Sequence, residues 1–192
     1  MRSSTKKLIE DLGIKNLKNI KTKIKEIKNE KTYTIKLIIE GEPKQTQRPR
    51  TTFTGHFYVP NAAKNKKEVR KQIKQQLDIE NFDIIDCEVK MKIKFYASIP
   101  KGFSKTDKVL AEMGYIRPTT TPDIDNLMKT YMDAITGVLW LDDGQVIETH
   151  SYKYYSITPR TEIILSYKKH LHCSILQQYA KNKKENFDAK LL

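Results

Sequence analysis

Glycine is scarce in this chain of 192 residues: there are seven, and no two stand closer than seven positions apart. That spacing leaves no place for G-x-G-x-x-G or G-x-x-x-x-G-K-[ST]. A Rossmann cofactor turn and a P-loop are both excluded. Cysteine is scarcer still. Cys87 and Cys173 are too few for a disulfide framework or a four-cysteine zinc site, and they predict reduced thiols in the cytoplasm. No apolar run approaches the ~20 residues that cross a bilayer, so no membrane partner is expected. Ser3-Ser4-Thr5-Lys6-Lys7 follows Met1 and Arg2 where a leader would carry an apolar stretch, so no secretory signal is expected either. No internal repeat is visible.

Positive charge is abundant. Lys and Arg number 36 against 23 Asp and Glu, a net charge of +13. An excess of that size predicts a polyanionic partner, nucleic acid first. The plainer alternative is a lysine-rich solubilising surface. The length fits one domain with tails. Residues 1–31 form a separate zone rich in Lys, Ile and Asn. There Leu8, Leu12, Leu17, Ile20, Ile24 and Ile27 recur at near-helical spacing. They predict a basic helical extension, since roughly 40 residues is the lower limit for folding alone. The core domain is expected over 32–168, with a short helix and polar tail over 169–192.

Within the core, TYTIKLIIEG reads as a strand ending at Gly41. Phe53 to Tyr58 suggests a small hairpin. Pro60 to Leu77 has helical composition, with Val69, Ile73 and Leu77 on one face. Cys87 to Ser98 alternates Val89, Met91, Ile93 and Phe95 with Lys90, Lys92 and Lys94, a strand with one lysine face turned to solvent or phosphate. Ile99 to Thr120 is a long connection with a possible helical turn over 104–113. Asp125 to Thr136 predicts a helix and Val138 to Leu141 a short apolar piece. Gln145 to Ser156 and Arg160 to Tyr167 predict two strands in an antiparallel hairpin. Together these give an α+β (mixed α/β) domain: a small mixed β-sheet of about four strands flanked by two main helices.

The sharpest constellation is Thr121-Pro122-Asp123-Ile124-Asp125-Asn126-Leu127-Met128-Lys129, followed by Trp140-Leu141-Asp142-Asp143. Pro122 disfavours helix at Thr121, so the helix starts just after it, with Asp123 or Asp125 at its cap or first turn. Asp125, Lys129 and Asp133 share one stripe; Leu127, Tyr131 and Ile135 form the apolar stripe. A short return after Gly137 is expected to bring Asp142 and Asp143 back beside the helix. Hard cations such as Mg²⁺ or Mn²⁺ prefer carboxylate oxygens, and phosphodiester hydrolysis commonly uses them. A nearby lysine stabilises charge on the phosphorus transition state. Each part also has an ordinary structural reading. Asp at a helix N-terminus is routinely a cap, Asp-Asp-Gly is a common turn, and Asp125–Lys129 is a common i, i+4 ion pair.

The run PDIDNLMKTYMDAITGVLWLDDGQV resembles the core of the RusA-type Holliday junction resolvases, a bacterial and phage endodeoxyribonuclease family. The match is carried by Asp123, Asp125, Asn126, Leu127, Lys129, Asp133, Ala134, Asp142, Asp143, Gln145 and Val146; Ile135 stands where the family usually has leucine. GEPKQTQRPR upstream resembles the Gram-positive and phage branch. The resemblance implies essential carboxylates at Asp123, Asp125 and Asp143, with Asp142 as a weaker metal ligand, and a catalytic lysine at Lys129. It also implies Mg²⁺ dependence with Mn²⁺ as a substitute, a homodimer, a cytoplasmic bacterial or phage-encoded chain, and paired symmetric nicks in branched four-way DNA. Residues 1–31 lie outside the resemblance, and the 99–120 connection is longer than in the shortest members.

Lys44, Arg48 and Arg50 on the proline-bracketed loop are candidate phosphate contacts. Phe53, Phe57 and Tyr58 beside them are candidates for stacking on opened bases, with core packing as the plainer reading. His170, His172 and Cys173 superficially resemble a soft-metal site but lack further ligands. His56 and His150 have no nucleophile partner. Two other functions compete with the nuclease: a basic DNA-binding module without catalysis, and an Asp-x-Asp nucleotide-sugar transferase, which predicts a longer chain and has no need of the basic excess.

Overall fold

The computed structural model describes residues 11, 25, 30–45, 50–51, 57–58, 62–77 and 82–168. Most of the 1–31 extension, Arg48, Phe53, His56 and the 169–192 tail, with His170, His172 and Cys173, lie outside the described residues. The elements in chain order are β1 (Thr32–Glu40), β2 (Arg50–Thr51), β3 (Phe57–Tyr58), α1 (Ala62–Gln76), β4 (Val89–Ser98), α2 (Lys105–Glu112), α3 (Ile124–Ile135), β5 (Val146–Ser156) and β6 (Arg160–Lys168). β2 and β3 form a two-stranded antiparallel ribbon.

The remaining strands form one mixed sheet in the order β1-β6-β4-β5. β6 is antiparallel to both β1 and β4, while β4 and β5 run parallel. Register lines up the apolar side chains. Leu37 and Ile93 both face Ile163, and Met91 faces Leu165. This row is the floor of the core, and α1 and α3 are its roof. α1 contributes Val69 and Ile73; α3 contributes Leu127, Tyr131, Ala134 and Ile135. The two main helices are the expected ones. A third, α2, begins at Ser104, whose Oγ accepts from the Asp107 amide at 3.1 Å, and ends before Gly114 at φ +82°. Among the described residues no helix is long and apolar enough to cross a membrane.

Two expectations about the last third of the chain are corrected. β5 and β6 do not form a hairpin: β4 lies between them. β4 and β6 alternate strictly between buried and open positions, whereas the first half of β5 is exposed at residue after residue. A strand that polar suits only an edge, so the two half-apolar strands take the centre. Val138 to Leu141 is not a strand either. It packs Leu139 and Trp140 into the core and makes only isolated bridges from Trp140 to Ile85 and Thr136.

α3 runs antiparallel to β4 and β5. Its start lies with Thr121, Pro122, Phe95, Ala97, Tyr154 and Tyr155 around one cavity. Its end lies at the opposite end of the sheet, where the Ile85 amide donates to Leu139 O at 2.8 Å. Arg70 of α1 closes that end, donating from Nε to Ala134 O at 2.9 Å and from Nη2 to Thr136 O at 2.7 Å. These carbonyls have no partner within the helix, and a cation there also opposes the helix dipole.

Mid-helix, the Tyr131 hydroxyl accepts from Thr161 Oγ1 at 2.8 Å and from the Lys44 amide at 3.3 Å, tying α3 to β6 and to the loop after β1. Burial pushes this phenol above its ordinary pKa. Tyr131→Phe leaves the buried Thr161 hydroxyl without that partner and is expected to cost about 1–2 kcal/mol in urea unfolding.

Candidate active site

The Thr121–Pro122 peptide is cis, and α3 starts directly after it. Asp123 holds the N-cap position with extended backbone, φ −70° and ψ 145°, yet its side chain makes no capping hydrogen bond. Asp125 lies in the first turn and is exposed. Lys129, one turn further on, is exposed too. The i, i+4 ion pair between them does not form within 4.0 Å. Both carboxylates therefore stand in solvent at the electropositive end of a helix whose opposite face is locked in the core. They are not consumed by capping or pairing.

The Asp142–Gln145 turn is built differently. Asp142 Oδ1 accepts from the Gly144 amide at 2.8 Å and, with Gln145, forms a reciprocal capping box around a 3₁₀ turn at Asp143–Gln145. A Cβ at residue 144 would press on that Oδ1 at 3.0 Å, which suits glycine here. Gln145 is the anchor. Its Oε1 accepts from the amides of Leu141 at 2.9 Å and Asp142 at 3.0 Å, and its Nε2 donates to Ile85 O at 2.9 Å and Cys87 O at 3.0 Å. The turn is pinned to the core while Asp143 projects from it, exposed.

The carboxylates do return beside the helix, but beside its C-terminal end. From Asp123 to Thr136 the helix spans roughly 20 Å at ~1.5 Å per residue. Asp143 follows Trp140 at the far end, and β5 then runs back until Lys153 Nζ donates to Thr120 O at 2.7 Å. Accordingly, no group of three or more His, Cys, Asp or Glu side chains among the described residues is placed to hold one metal ion. The donor chemistry at each end, open carboxylate oxygen, fits a hard cation.

Lys44 is half-buried, with its Nζ 3.4 Å from Glu68. Arg50 pairs with Tyr58 across the small ribbon. On the lysine face of β4, Lys90 bonds Glu148 at 2.6 Å, Lys94 lies 4.0 Å from Glu162, and Lys92 sits over the Tyr152 ring. Hydrogen bonds from Lys90 and from His150 hold the Glu148 carboxyl below its ordinary pKa, so this face is partly neutralised from within. Sequence reasoning did not single out Lys153, Arg70 or the stack on this same sheet face, in which Arg117, Tyr154, Tyr96 and Arg160 follow one another. Their signal was the strand register Tyr96↔Tyr154, which a sequence does not display.

Residues 40–166 match the sequence model of the family described as Endodeoxyribonuclease RusA. The chain is also 37% identical over 136 residues to the Bacillus subtilis (strain 168) protein "Uncharacterized protein YqaN", covering 68% of this chain and 94% of that protein. The matched stretch holds every candidate carboxylate and the anchoring glutamine. Gln145→Ala removes four hydrogen bonds around one buried junction, and a loss of about 2–4 kcal/mol is expected in urea unfolding, at ~0.5–1.5 kcal/mol for each bond.

Proposed function

The chain belongs to the endodeoxyribonuclease RusA family, and from that premise we propose that it is a Mg²⁺-dependent, structure-selective endonuclease that resolves four-way DNA junctions by paired symmetric nicks in recombination and repair. The observation that carries this is the pair of unpartnered, solvent-open carboxylates Asp123 and Asp125 at the head of α3, with Lys129 one turn along, in a chain of net charge +13. A basic surface draws DNA in, and a local acidic notch would repel phosphate unless a cation shared it.

Asp123, Asp125 and Asp143 would hold Mg²⁺, for which Mn²⁺ can substitute; Asp142, already engaged as the cap of its turn, contributes less. The cation, when bound, supplies positive charge beside the scissile phosphate. Lys129 donates to a non-bridging phosphate oxygen as charge builds there. Lys44, Arg48 and Arg50 hold the DNA arms. Because Asp143 stands at the far end of α3, a complete set of three carboxylates requires Asp143 from a second copy. A homodimer related by a two-fold axis then carries two such sites, matching a substrate that is itself two-fold and must be cut twice.

Asp123→Asn and Asp143→Asn are each expected to abolish cleavage of a synthetic four-way junction in Mg²⁺ while leaving binding intact or tighter. Mixing the two inactive variants is expected to restore single-strand nicking, because a heterodimer then holds one site with both carboxylates. A mixture that stays inactive would place all three carboxylates of a site in one chain. If the wild type binds junctions but never cuts them with any divalent cation, the chain is a basic DNA-binding module instead.

Lys129→Met is expected to slow cleavage by on the order of 10²–10³, as loss of a transition-state donor does. Lys129→Arg recovers part of it, since a planar guanidinium does not reproduce a compact ammonium. Single-turnover rates on preformed junction complexes measure both.

A further inference from the structure

The two edges of the sheet are finished in different ways. On β1, two glutamines of α1 imitate a missing strand. Gln76 accepts from the Ile38 amide at 3.0 Å and donates back to Ile38 O at 2.5 Å, and Gln72 does the same for Glu40 at 2.7 and 3.2 Å. The helix repeat of ~6 Å between i and i+4 matches two strand residues at ~3.3 Å each. The carboxyl half of this edge is closed to any added strand.

β5, the other edge, is covered only over its carboxyl half. There Arg117 lies over the Tyr154 ring at 4.3 Å, Thr120 O takes the Lys153 ammonium, and Glu112 takes the Ile157 amide at 2.6 Å. The amino half, residues 146–151, is open, with four exposed residues in a row and no lysine or proline, the usual guards of an unpaired edge. A register shift pairs Val89 with Val146 but Lys90 with Glu148, and the extra residue, Ile147, is left 56% exposed.

We infer that the amino half of β5 is the surface on which a second copy of this chain docks, antiparallel, strand to strand, with the two-fold axis at Thr149. The inference rests on the dimer proposed above and gives it a location. An axis at Thr149 sets Glu148 opposite His150 of the partner subunit, an acceptor facing a donor instead of like facing like. It also sets residues 143–145 opposite residues 153–155 of the other copy. Lys153 is the residue that holds Thr120, three positions before Asp123. This register therefore carries Asp143 of each chain to the head of α3 in its neighbour. A second copy on the β1 edge would leave the carboxylates of both chains far apart.

Thr149→Cys tests this in a Cys173→Ser background, where the remaining thiol, Cys87, is buried. Across the axis the two Cα atoms would lie about 4.5–5.5 Å apart, within disulfide reach. Mild oxidation is expected to convert most of the protein to a covalent dimer that still cuts junctions. Thr34→Cys on β1 is expected to cross-link at least tenfold more slowly. His150→Glu, which sets two carboxylates face to face, is expected to raise the dimer dissociation constant at least tenfold in sedimentation. If light scattering shows a dimer but Thr149→Cys cross-links no faster than Thr34→Cys and His150→Glu leaves association unchanged, the interface lies elsewhere while the dimer stands. A chain that cuts junctions and stays monomeric throughout overturns both.

Discussion

The burial of one face of α3 against β4 is the contact on which the other features depend. Leu127, Tyr131 and Ile135 are sealed from solvent against a floor that includes Ile93 and Phe95. Each such side chain stabilises the fold by about 1.5–3 kcal/mol. Because that stripe faces inward, the opposite stripe with Asp125 and Lys129 must face water. Because the helix lies antiparallel to its strands, its two ends are committed to opposite ends of the sheet. The Tyr131 hydroxyl and the Arg70 guanidinium fix its height and its end by hydrogen bonds that the apolar stripe alone would not specify.

Charge is distributed with the same division of labour. The protein is strongly basic, yet several of its lysines are matched by carboxylates on the sheet, among them Lys90 with Glu148 and Lys94 with Glu162. Asp123 and Asp125 are left unmatched. An exposed pair of acids beside an exposed lysine gains little stability and keeps its oxygens available. Asp142 shows the contrasting use of the same side chain, as the cap of a turn held to the core by Gln145. One aspartate organises the turn, and its neighbour Asp143 is presented by it.

The edges extend the argument to assembly. A sheet with one edge closed by Gln72 and Gln76 and the other half open has a built-in direction for growth, and for identical chains that growth closes after two copies when the pairing is antiparallel. A structure that separates its acidic residues by the length of a helix would be a poor nuclease alone. It becomes a symmetrical one when strand pairing folds the far end of one chain onto the near end of the next.

Much of this was legible in the residues. The period-two alternation of β4 and the heptad-like stripe of α3 each predict an element and its buried face, because side-chain direction follows directly from local geometry. The spacing of Asp123, Asp125, Lys129, Asp142, Asp143 and Gln145 carries the family resemblance by itself. Partnership between strands was not legible. Two strands joined by three residues read as a hairpin, and only the competition for the sheet centre put β4 between β5 and β6. Nor did the spacing reveal that Asp143 returns to the wrong end of its own helix, or that Gln145 makes four bonds at once. Those facts depend on which surfaces meet when the core closes. Hydrogen bonding and hydrophobic burial are settled there between residues distant in the chain, and no local pattern records the outcome.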